Sequence, residues 1–177
     1  LLAQNTWDTG TINFNHGLPP LPFANENLTG GFLSSQIPAQ GVGGFQIAEG
    51  DTNFLSLVAY DIHITDGDTL ADLFTIILQD SVEITPGFYV VGATTGAIKG
   101  FIWMQDVDPA VISSLIDTSF SLDSLSVLNP FISLSGQIEI TEASETTLAG
   151  NFAGVMLNTN LTMVMIDGGS FSVSNTL

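Results

Sequence analysis

A single lysine, Lys99, and no arginine serve a chain of 177 residues whose mean hydropathy is +0.41. Ordinary soluble domains carry about 25% charged residues, whereas this chain carries 11%. No apolar run reaches the ~18 residues of a membrane-crossing helix. Polar-poor surface must therefore be hidden in another way, either by closing a sheet on itself or by packing against further copies of the chain.

Eighteen acids against one base leave a formal charge of −17. Nucleic acid and anionic bilayers are gripped through Lys and Arg, so the composition excludes nucleic acid as a partner, and the hydropathy predicts no membrane span. The imbalance comes from missing bases rather than from surplus acids. With no cysteine, disulfides and thiolate metal sites are excluded. The opening Leu1-Leu2-Ala3-Gln4 reads as the tail of an export signal ending in a small residue. The sequence therefore predicts an extracellular or cell-surface location after signal removal.

Val, Ile, Phe and Leu fill short runs between Gly, Ser, Thr and Asn, which is the texture of an all-β fold. The sequence predicts an antiparallel sandwich or barrel, with 1–31 as an extended arm and 32–177 as a single β domain. The clearest strand is Asn53–Ile64, with Phe54, Val58, Tyr60, Ile62 and Ile64 on its core face and Asp61 and His63 on the other. Asn158-Thr159-Asn160 and Asp167-Gly168-Gly169 read as hairpin turns. Gly30-Gly31 and Gly41–Gly44 bracket a loose stretch. Asp108-Pro109 looks like an N-cap followed by proline at the first helical position, with Val111, Ile112, Leu115 and Ile116 at helical spacing. This predicts one short helix over about 109–117.

Open strand edges recruit other chains unless lysine, proline or bulges protect them. Lys99 is the only lysine here, and segments such as Phe54–Tyr60 and Leu161–Ile166 carry no charge. The expected function is an exported structural protein that assembles with its own copies into a filament or surface layer. The apolar arm and the terminal strand would complete a neighbour's sheet. The expected subunit contacts are Ile12, Phe14, Leu18, Leu21 and Phe23 from the arm, and Phe171 and Val173 from the last strand. The alternative is a monomeric, lipocalin-like binding module for an apolar or glycan ligand, lined by aromatics such as Phe74, Phe101 and Trp103.

An enzyme is not expected. His16 and His63 are the only histidines, no Gly-x-Ser-x-Gly elbow accompanies them, and both read as solvated. Glu139 is the outward residue of an alternating strand, and no phosphate-binding glycine loop occurs. No cofactor is expected other than calcium, for which Asp66, Asp68 and Asp72 supply hard oxygen ligands in one loop. Asp106 and Asp108 form a second acidic loop.

Three stretches share a cadence. Ser135-Gly136-Gln137-Ile138-Glu139-Ile140-Thr141 follows G-x-I-x-I-T, and Leu148-Ala149-Gly150-Asn151-Phe152-Ala153-Gly154 follows x-G-x-F-x-G. Ile166-Asp167-Gly168-Gly169-Ser170-Phe171-Ser172-Val173 follows I-x-x-G-x-F-x-V. With Pro86-Gly87-Phe88-Tyr89-Val90 upstream, this half of the chain resembles the endings of secreted β-domains and surface lipoproteins common in Bacteroidota. The resemblance implies an extracytoplasmic antiparallel barrel or sandwich, and no catalytic residue carries over from it. The chain departs from that family in lacking a lipid-accepting cysteine and in its long insert after Asp108.

Overall fold

The computed structural model describes residues 5–27, 40–94, 96–110 and 129–175. Among them are twelve strands, every pair antiparallel. They are β1 (Asn5–Trp7), β2 (Thr9–His16), β3 (Leu21–Asn27), β4 (Gln40–Glu49), β5 (Thr52–Thr65) and β6 (Asp68–Asp80), then β7 (Gly87–Val90), β8 (Gly92–Thr94), β9 (Ala97–Val107), β10 (Phe131–Ala143), β11 (Thr147–Leu157) and β12 (Met163–Ser174). The ladder runs β1-β4-β5-β6-β9-β10-β11-β12-β2-β3, with β7 beside β10 and β8 beside β9.

Only Asp8 separates β1 from β2, so the two ends of this ladder belong to one stretch of chain. Its first residues pair with β4 and its later ones with β12, and Asp8 N–H donates to Ser174 O at 3.1 Å. The sheet therefore curls round into a barrel-like form, and the curl pairs most of the backbone edges that the composition cannot protect with charge, with β3 paired only to β2 among the described residues. The β7–β8 segment is a second bridge. It breaks only at Val91, pairing with β10 before the break and with β9 after it.

The inward face shows how the barrel is filled. Every second residue of β11 points inward: Leu148, Gly150, Phe152, Gly154 and Met156 alternate large and small. A Cβ on Gly150 would lie 2.5 Å from Phe171 Cζ, and one on Gly154 would lie 3.0 Å from Phe101 Cε2. Small positions on one strand thus receive rings from others. Phe152 stacks on Phe74 at 5.3 Å, and Phe74 meets Phe14 at 4.5 Å. These rings, with Trp7, Trp103 and the inward Leu and Ile residues, fill the barrel as one buried cluster.

The structure corrects several expectations. The predicted arm is part of the barrel, since 5–27 supplies β1–β3. Ile12, Phe14, Phe23, Phe171 and Val173 are buried in this chain's own core, while Leu18 and Leu21 are exposed. The physical reason is shape, because the interior needs these rings to fill it. Asp167-Gly168-Gly169 is no hairpin turn. It is a bulge inside the continuous β12, where Gly168 takes a left-handed φ of 57° and the register slips. Gly41–Gly44, expected to bound a loose stretch, lies within β4, and at Gly44 a Cβ would lie 2.5 Å from Leu57 Cδ2.

The faces of β5 are also reversed. Leu55, Leu57 and Ala59 point inward, whereas Val58, Tyr60 and Ile62 join Ala71, Leu73, Met104 and Val107 in a second cluster on the outer wall. Burial pushes the Tyr60 phenol up to about 12. Ile64 is exposed. Alternation alone could not rank two apolar faces. Lys99 guards no edge either, since β9 is paired on both sides and Lys99 bonds to Asp80. Asp108 Oδ1 accepts the Ala110 N–H at 2.9 Å, the contact an N-cap makes, while 111–117 of the predicted helix lie outside the described residues.

Candidate functional site

β5 and β6 are joined by Asp66-Gly67, with φ of 54° and 92°. Two left-handed central residues make a type I′ turn, the tightest hairpin connection. Asp66 and Asp68 are therefore exposed turn residues, and counting outward along the hairpin sets Asp61 opposite Asp72. Asp61 and His63 continue the inward register of β5 beyond Ala59, as Asp72 continues that of β6 beyond Phe74. These residues gather at one mouth of the barrel.

The third strand arrives with a distortion. The β6–β9 register slips between Ala71 and Leu73, and Asp106 takes a left-handed φ of 52°. Its N–H donates to Asp72 Oδ1 at 2.9 Å, and its own Oδ1 lies 3.0 Å from His63 Nε2. The ligand atoms of His63, Asp72 and Asp106 all lie within 4.8 Å of one another. Of the expected acidic triad, only Asp72 belongs to this group. His63 and Asp106 replace Asp66 and Asp68.

His16 reaches the same mouth from β2. Its ring packs against Trp103 at a centroid distance of 4.6 Å, beneath Phe14. The two histidines, expected as unrelated solvated side chains, therefore sit at one end of the barrel. The Trp103 indole N–H is buried and has no acceptor among the described residues. Lys99 is at the opposite end beside Asp80, roughly 26 Å from Asp72 along β6. The lysine holds the Asp80 carboxyl below the usual range, mainly through its hydrogen bond. It is too distant to balance the acids at the other mouth.

The chain matches no family model, no curated protein and no solved structure. The mouth must therefore be read from its own chemistry.

Burial lowers the His16 pKa, against an opposing pull from the Asp72 charge. The hydrogen bond to Asp106 raises that of His63. Burial raises the Asp72 carboxyl, although the Asp106 N–H works the other way. Linkage gives the histidines opposite signs. The His63 contribution is fully present below the unfolded imidazole value of about 6.5 and is lost as pH rises through its folded pKa. The His16 contribution is present above about 6.5 and is lost as pH falls toward its lowered folded value. An NMR titration of the imidazole protons is expected to place the His63 midpoint above that of the unfolded chain and the His16 midpoint below it. Coincident midpoints would mean that the Asp106 contact does not persist in solution.

Proposed function

We propose that this chain is an exported, non-enzymatic structural module that associates with copies of itself through the apolar outer wall of its barrel. One observation carries this reading. Ile102, Ile132, Leu157 and Met163 form an uninterrupted apolar row across β9, β10, β11 and β12, each opposite the next in register. Met163 is 66% exposed and Ile132 48%, and two residues along the same strands Met165 and Leu134 are 55% and 60% exposed. Exposed apolar side chains grouped in this way favour an interaction surface there. Methionine supplies an adaptable surface for such contacts. Because the arms are committed to the barrel, contact is by packing of walls rather than by exchange of strands. The secretory setting rests on the resemblance of the C-terminal half.

The experiment is analytical ultracentrifugation across a concentration series, with negative-stain imaging of the concentrated sample. The wild type is expected to form multi-chain species, and the Met163→Glu/Met165→Glu variant is expected to be monomeric with an unchanged circular dichroism spectrum. A wild type that stays monomeric overturns self-assembly. It would leave a second reading, a sugar-binding surface, which one groove favours. There the exposed Phe88 ring stands beside Gln137, Glu139 and Asn151, and Asn151 Nδ2 donates to Glu139 Oε2 at 3.2 Å.

A further inference from the structure

His63 and Asp72 come from the two strands of one hairpin and Asp106 from β9, 34 residues beyond Asp72, and the barrel mouth brings one imidazole and two carboxylates together. We infer that they form a divalent-metal site of the zinc class. The argument begins with donor chemistry. Calcium takes six to eight oxygen ligands, whereas imidazole nitrogen with carboxylate oxygen suits zinc and its borderline neighbours. A nitrogen donor at the centre of the group therefore moves the preference away from the calcium that the acids alone suggested.

Geometry agrees. Tetrahedral zinc with bonds of about 2.0–2.1 Å spaces its ligand atoms roughly 3.3 Å apart. His63 Nε2 and Asp106 Oδ1 already stand 3.0 Å apart, and the Asp72 oxygen lies within 4.8 Å of both. Asp72 completes the group within that wider limit. A fourth position is left for water or a partner's donor. Two features of the backbone hold the arrangement. The β5–β6 hairpin locks His63 and Asp72 on one face, and the Asp106 N–H fixes one oxygen of Asp72, leaving the other for the metal.

Electrostatics supplies the need. Asp61 is opposite Asp72, so three carboxylates and two histidines share the mouth, while the single lysine is bound at the far end. Metal at Nε2 takes the place of the hydrogen that lies between His63 and Asp106: an imidazolium gives that proton to solvent, and a neutral imidazole carries its hydrogen on Nδ1 instead.

The test uses the full chain, freed of metal with a chelator and then dialysed into metal-free buffer. Zinc chloride is titrated in by calorimetry, with calcium and magnesium chlorides as comparators, while the His63 imidazole resonances are followed by NMR. The expected result is one zinc per chain, with the His63 resonances moved or broadened. Affinity should fall at least about tenfold in His63→Asn and in Asp106→Asn, and stay unchanged in Asp66→Asn/Asp68→Asn. Calcium bound as tightly as zinc, no uptake, or unchanged affinity in His63→Asn would each overturn the site. If the variants fail to fold, the wild-type spectrum decides: His63 resonances unmoved at saturating zinc also overturn it.

Discussion

Phe152→Ala is expected to cost about 3–5 kcal/mol, which for a domain of this size lowers the thermal midpoint by roughly 6–20 °C. The reason is the number of rings that meet at this side chain. Phe152 is buried and in ring contact with Phe14, Phe74, Phe101 and Phe171, at centroid distances of 5.9, 5.3, 5.4 and 6.4 Å. These partners come from β2, β6, β9 and β12, so the truncation opens a void that no single strand can fill by shifting. Strands hydrogen-bonded on both sides have little freedom to collapse inward, which places the cost toward the upper end. Phe88→Ala is the matched control. The ring of Phe88 is 67% exposed on the outer wall, and its loss should change stability by no more than about 0.5 kcal/mol. Equal midpoints for the two variants would mean that the barrel interior is not the packed core described above.

Gly150→Ala is expected to be nearly as damaging, although it adds one methyl group. A Cβ at this position would lie 2.0 Å from Glu139 O and 2.5 Å from Phe171 Cζ. The ring could rotate away, but the carbonyl belongs to the β10–β11 ladder and cannot move without breaking hydrogen bonds. The cost belongs at the upper end of the about 1–3 kcal/mol typical of overpacking. Urea unfolding should show a lower midpoint at an unchanged slope. Adding Phe171→Leu, which removes the ring but leaves the carbonyl, should recover none of the backbone part of the loss. Full recovery would mean that the glycine serves only the ring.

These two variants also give the shared cadence its physical meaning. The x-G-x-F-x-G pattern was visible in the residues, yet it did not say that Gly150 and Gly154 clear space for rings from β12 and β9. The bulge at Gly168 misled in the opposite direction, because a left-handed glycine serves a hairpin and a bulge equally well, and local sequence does not separate them. The mouth was half legible. Once Asp66-Gly67 is taken as a two-residue turn, counting outward pairs Asp61 with Asp72 and sets His63 on their face. Asp106 carried no such signal. It joins the group through a register slip between β6 and β9, which depends on a pairing of strands distant in sequence.

The sequence by itself determined the all-β class, the antiparallel hairpins and the need to hide a surface with almost no positive charge. Those follow from residue type and short-range spacing, which are local quantities. Tertiary structure alone decided which of two apolar faces of β5 turns inward, that the N-terminal strands bridge β4 and β12, and that both histidines reach one mouth. Each of these depends on how the whole sheet curls round on itself. That curl is a condition on all the strands at once, and no window of the sequence contains it.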